Sequence, residues 1–363
     1  MAEEQAVDYL VFVKKVIITI SVLSITFLLF IIVLYGYKIL MLLFAAALLA
    51  ILYRGCAFWL AGKLKISVKI LLPVILLIHI GFSVFVIWKL APHISEQIQI
   101  MSTTIPGTVS NLEQKFLQSA TGQFIIRELP ESSALLKDPG KILHTIFYFF
   151  RGTLNIIVNL IVIVALAIFL VGNPGLYRRG FLYFFPPEKR GRVNEIIQTI
   201  NITLFKWFIG KILDMTTIFI MTAVALWILG IPLVLTLALI AFIFSFIPNI
   251  GPVIAAIPAI LIAFTEKPVY ALYVGFIYLG IQFIETYFIT PKIQKKAIQM
   301  PPVLLLIFQL FIAIFGGVLG LFLSTPILAT LTILIQMGYI EDTLGDYSIG
   351  VKEEEVAKNT IEY

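Results

Sequence analysis

The chain has 363 residues, of which 60% are hydrophobic and 13% charged, and its mean hydropathy is +1.05. A soluble domain carries roughly 45–50% apolar and about 25% charged residues, so this composition excludes a water-soluble globular fold. The net charge of +6 sits in short loops beside apolar runs, which makes it a topology signal and not a nucleic-acid surface, and the single cysteine, Cys56, excludes intrachain disulfides and cysteine metal cages.

A helix needs about 20 apolar residues to cross a hydrocarbon core. Runs of that kind occupy Val16–Leu34, Ile39–Tyr53, Ile70–Trp88, Leu154–Val171, Met215–Leu229 and Val269–Ile289. The fold expected is therefore all-α, a polytopic helical membrane protein with about eight membrane segments, some broken or re-entrant. The first run follows Lys14 and Lys15 and ends without a small-residue cleavage site, so it reads as a retained span. Residues 1–90 are expected to hold spans one to three.

Arg54, Lys63, Lys65 and Lys69 follow span two, and Arg178, Arg179, Lys189, Arg190 and Arg192 follow span four. The positive-inside rule puts both loops in the cytoplasm. An even number of crossings before each then places the N-terminus in the cytoplasm, with the C-terminus cytoplasmic as well. Between spans three and four, residues 91–145 are polar and expected outside the cytoplasm. There Ile94, Ile98, Met101 and Ile105 step at 4-3-4, and Val109, Leu112 and Phe116 resume after Pro106, which predicts two amphipathic helices. They either cap the membrane surface or pack against other subunits.

Span four lies within 146–172. In 173–211, Pro186-Pro187-Glu188 opens a segment where Val193, Ile197, Ile200, Leu204, Trp207 and Lys211 share one stripe. This predicts an interfacial helix that meets membrane lipids, with Trp207 at headgroup depth. Residues 212–340 form a membrane region with two unusual pairs of apolar segments. Leu233–Ile247 and Val253–Phe264 flank Pro248, Asn249, Gly251 and Pro252; Val303–Phe315 and Leu321–Met337 flank Gly316, Gly317 and Gly320. Each pair is two thin spans or one re-entrant hairpin. The tail, 341–363, is acidic.

Ionisable groups inside a span cost at least about 2.5–3.5 kcal/mol on insertion scales and so ask for a function. Glu285, next to Gln282 and close to Pro291, reads as a proton- or cation-binding carboxylate, or as an interfacial acid paired with Lys292 or Lys295. Asp214 reads as a transport group or as a helix-N-terminal acid favoured by the dipole. His79 has no carboxylate nearby in sequence and reads as a core histidine, and Arg151 snorkels to the interface. Paired Gly/Pro interruptions mark solute pathways, because freed backbone is tolerated only where protein or water satisfies it. The Gly316–Gly320 pair also fits plain close packing of helices. The sequence has no His-Glu-x-x-His, no Gly-x-Ser-x-Gly and no phosphate loop. No enzyme, cofactor or metal site is expected; the partners are a small polar solute and Na+ or H+.

Three elements carry a family resemblance. Phe246-Ile247-Pro248-Asn249-Ile250-Gly251-Pro252 with Ile257-Pro258 resembles the Ile-Pro-x-Ile-Gly-Pro element of the autoinducer-2 exporter family of permeases. Glu285-Thr286-Tyr287-Phe288-Ile289-Thr290-Pro291-Lys292-Ile293 is similar to its Glu-x-x-x-x-x-Pro-Lys-Ile element. Gly316-Gly317-Val318-Leu319-Gly320 with Thr325-Pro326 is similar to its closing Gly-x-x-Gly…Pro pattern. The resemblance implies a multi-span permease that is a homo-oligomer, with a pentamer as one form. It also implies export of an autoinducer-2-like solute or another metabolite, or sodium–proton exchange. A non-transporting membrane scaffold is the remaining class.

Overall fold

A computed structural model describes residues 2–85, 153–293 and 301–347 continuously, with isolated positions between 88 and 118. The expected insert at 91–145, Arg151, Lys295 and the acidic tail lie outside the continuous stretches. The elements are α1 (Ala2–Leu64), α2 (Val68–Phe85), α3 (Thr153–Gly172), α4 (Pro174–Leu182) and α5 (Arg190–Ile228), then α6 (Val234–Ser245), α7 (Ile250–Glu266), α8 (Pro268–Ile284), α9 (Thr290–Ile293) and α10 (Pro302–Ile335). Among the described residues every regular element is helical, as expected.

Five stretches are long and apolar enough to cross a membrane, six if the bent pair α3–α4 is one span, and α6 and α7 are two shorter apolar helices. Both apolar runs expected as spans before Arg54 lie on α1, which runs unbroken for 63 residues. At 1.5 Å per residue it is about 95 Å long, three times a bilayer core. Tyr35-Gly36-Tyr37-Lys38 has no proline, and one glycine costs only about 1 kcal/mol in a helix, too little to end it. Orientation therefore rests on the basic residues and not on counting crossings.

Two apolar cores organise the chain. The first joins α1, α3, α5 and α10 through Ala46, Tyr53, Ala167, Leu204, Trp207 and Leu323. The second joins the later half of α5 to α6, α7 and α8 through Ile218, Leu226, Leu237, Ala259, Val274 and Tyr278. Helix α5 belongs to both. Trp207 is thus buried, 6% exposed, and packs against protein and not against lipid headgroups; the stripe that predicted an interfacial helix faces protein where Leu204, Trp207 and Lys211 carry it. The expected boundary at 211–212 falls inside this continuous helix.

Both sequence interruptions break the helices. At the first, Asn249 takes a left-handed backbone, φ 64, ψ −49, between α6 and α7. Gly251 donates to the Ile247 carbonyl at 3.0 Å, and a Cβ on Gly251 would collide with the Phe244 carbonyl oxygen. The second break lies within α10, where Gly317 has φ 55, ψ −138. In a straight helix Gly320 stands about 12 Å beyond Ile312. Here a Cβ on Gly320 would come 2.6 Å from the Ile312 carbonyl oxygen, so the chain doubles back at Gly317.

On the side of the two basic loops, Arg192 of α5 bonds Glu341 at 2.6 Å and Asp342 at 2.9 Å. It also bonds the Met337 carbonyl at 3.2 Å, which ties the start of α5 to the end of α10.

The two glycines give a stability test. Gly317→Ala forces a side chain into a glycine-only region and should cost on the order of 1–3 kcal/mol. Gly280→Ala, where an added Cβ meets nothing within 4 Å, should leave melting unchanged. Fluorescence-detected size exclusion after heat steps compares them; equal melting of the two variants would remove the strain at Gly317.

Candidate functional site

The site starts from an i,i+3 pair on α5. Residues three apart share a helix face, and Lys211 Nζ donates to Asp214 Oδ2 at 2.6 Å. Neither side chain reaches solvent, at 3% and 1% exposure. A buried pair is tolerable only when its geometry and further hydrogen bonds offset desolvation. Here one oxygen is left over, because Asp214 Oδ1 has no donor.

Glu285 completes the cluster from α8. A π-turn, Glu285–Ile289, interrupts the helix at this residue, and the Thr290 N–H donates to the Glu285 carbonyl. Such single wide turns concentrate at functional sites because they rotate one side chain off its helical register. Glu285 is 7% exposed. Its carboxyl meets Asp214 and Gln282 and feels the Lys211 charge. Gln282 is half-buried, donates to Thr286 Oγ1 at 3.2 Å and leaves its Oε1 unpartnered. Two carboxylates and one ammonium, all out of water, sum to one negative charge if each keeps its ordinary state.

The structure bears on several alternatives, with Lys295 outside the described residues. Glu285 is paired with α5 and not with Lys292, which is exposed. Asp214 lies deep within α5, well past its first turn, so the helix-dipole reading fails. His79 is half-buried and packs edge-on against Tyr53, centroids 5.5 Å apart.

The break residues form a neighbouring group. Gln309, fully buried on α10, donates through Nε2 to the Pro248 carbonyl at 3.3 Å, joining the second hairpin to the first break. Phe246 stacks on Phe322 at 5.4 Å and meets Trp207 edge-on at 5.7 Å. Gly251 and Gly320 are buried, Pro252 and Gly316 half-buried, Asn249, Gly317 and Pro291 exposed. Gly316 backs onto Met41 of α1, which is the close-packing role open to it from the sequence. Lys211 follows Trp207 by about 6 Å of helix rise, so the charged cluster stands one turn from the break.

Sequence reasoning missed Lys211 as a site residue, placing it at the end of a surface helix; the signal was Lys-x-x-Asp inside an apolar run. It also missed Gln309, the one amide in the apolar run Val303–Phe315.

A sequence model described as an AI-2E family transporter matches residues 20–339. Among curated relatives, the chain is 23% identical over 298 residues to YueF of Bacillus subtilis (strain 168), covering 78% of this chain and 80% of that one. It is 27% identical over 170 residues to YrrI of the same organism, 47% of this chain and 48% of that one. To its YdbI it is 32% identical over 139 residues, 37% and 40%. These relatives are named, by inference, as transport proteins. YueF apart, the chain spans about half the length or less of these relatives.

Removing one partner of a buried ion pair strands the other and costs about 3–5 kcal/mol, whereas replacing both with apolar groups is far milder. Lys211→Met should therefore lower Tm in detergent more than the double variant Lys211→Met with Asp214→Leu. Additive losses would show that the two charges do not depend on each other.

Proposed function

The chain belongs to the AI-2E transporter family, and we propose that it is a secondary permease whose Lys211–Asp214–Glu285 cluster carries the coupling cation. The observation behind this is the unbalanced buried charge: Asp214 Oδ1 lacks a donor while a second carboxyl faces it. A proton held between the two acids, or a Na+ accepted by both, restores neutrality and supplies the missing partner. A buried group left uncompensated costs several kcal/mol, so occupancy of the site is coupled to the packing of α5 on α8.

The solute is a small polar molecule, an autoinducer-2-like signal or another metabolite, moved outward against the cation. Its path runs past the freed backbone at Pro248–Gly251 and Gly317, where carbonyls and amides outside regular helix offer polar contacts at membrane depth. The protein sits in the plasma membrane as a homo-oligomer. Cytoplasmic placement of the basic face is supported by Arg54 and Arg178, which line one cavity and so lie on one side. Sodium–proton exchange without an organic solute is the second reading, and it rests on the same two carboxyls.

Proteoliposomes containing the full chain test this. An imposed proton or sodium gradient should drive autoinducer-2 flux, or 22Na+ flux alone on the second reading. Glu285→Gln and Asp214→Asn should each reduce gradient-driven flux at least tenfold while the protein stays folded. Wild-type flux from Glu285→Gln would take the carboxyl out of the mechanism.

A further inference from the structure

A second polar feature lies away from the cation cluster. A cavity of about 420 Å³ opens between α1, the α3–α4 corner and the start of α5. The corner exists because Asn173 interrupts the helix: its side chain caps Leu176 N–H at 3.2 Å, Pro174 begins α4, and the chain turns by 83°. Ala50, Ile51 and Leu170 form an apolar wall. Arg54 and Arg178 face the same space, both half-buried.

Among the described residues that line it, none is Asp or Glu. Arg54 lies over the Phe58 ring at 5.4 Å, a contact that orients its guanidinium. Arg178 forms no ion pair among the described residues. Two planar guanidiniums with fork-like donors suit a phosphate, which accepts paired hydrogen bonds. The first turn of α4, at Pro174 and Gly175, adds the positive end of a helix dipole to the same wall. Tyr177 supplies a phenol beside an otherwise oily surface. Cation and oil together describe an amphiphile with an anionic head, and basic pockets between membrane helices hold lipid headgroups.

We propose that this cavity binds a phosphate-bearing anion, filled in the membrane by the headgroup of an anionic phospholipid whose acyl chain follows the Ala50–Leu170 wall. The occupant bridges α1 to α4 and α5, so its loss loosens the side of the molecule that carries both basic loops.

The full chain in phosphatidylcholine nanodiscs is the reference for the test. Adding phosphatidylglycerol should raise Tm saturably. Arg178→Gln should move the midpoint of that rise about tenfold, the worth of one charge-assisted hydrogen bond. Arg54→Gln with Arg178→Gln should abolish the rise, with the melt in pure phosphatidylcholine kept as the folding control. Lys189→Gln, an exposed cation outside the cavity, should change nothing. If inorganic phosphate in phosphatidylcholine discs gives the same Arg178-dependent rise, the site stands with a soluble source. A rise confined to phosphatidylglycerol assigns the lipid. A rise insensitive to Arg178, or one lost equally in Lys189→Gln, overturns the site.

Discussion

Helix α5 must cross from one apolar core to the other, and the Lys211–Asp214 pair sits at the seam. On the preceding turns Leu204 and Trp207 pack with α1, α3 and α10; on the following turns Ile218 and Leu226 pack with α6, α7 and α8. A continuous apolar face would let α5 slide between these partners with little penalty. A buried charge pair does not slide so freely, because any shift of α5 that carries Lys211 and Asp214 away from Glu285 facing them leaves their charges against oil. Register along α5 is thus fixed by electrostatics where hydrophobic contact alone is permissive.

The same seam brings the broken hairpins within reach. Phe246, in the turn that leads to Pro248, lies against Trp207 and Phe322, so the first break is clamped between α5 and α10. Gln309 then satisfies the Pro248 carbonyl that the break frees. Its own Oε1 is left without a donor, as are Thr325 Oγ1 and Gln282 Oε1. Unpaired polar atoms are costly in a dry interior and persist where they serve a ligand or a second arrangement of the chain. They lie on α10 and α8 and give the polar character that the proposed path would need.

The sequence made the breaks legible for a concrete reason: only glycine accepts φ 55 with ψ −138 at Gly317, and only glycine lets Gly251 touch the Phe244 carbonyl. Such constraints leave a residue-type signature. The acids were legible too, because carboxyls in apolar runs are rare. What stayed hidden depended on distant partners. Lys211 looked like the end of a surface stripe, since periodicity reports that a face is buried and not what buries it. The π-turn at Glu285 has no composition signal. Trp207 reads as an interfacial aromatic until Phe246, far along the chain, is known to cover it. The continuity of α1 through Gly36 left no mark in the composition, because two apolar runs of span length read as two crossings whereas nothing local stops the helix.

The proposed cation site has a consequence for how the two cores move. Asp214 and Lys211 ride on one helix, so their separation is set by backbone; Glu285 rides on another, so its distance from Asp214 changes whenever α5 and α8 shift. Two like charges about 4 Å apart repel by about 4 kcal/mol at an effective dielectric near 20. An empty site therefore favours separation of α8 from α5, and a bound proton or Na+ favours their closure. Because Trp207 stands one turn away on α5 and packs edge-on against Phe246, closure at the acids bears on the first break directly. On the proposed reading, cation occupancy would bias how α5 and α8 pack beside the break, and a ligand that favours one arrangement over another is the requirement for coupling one flux to another.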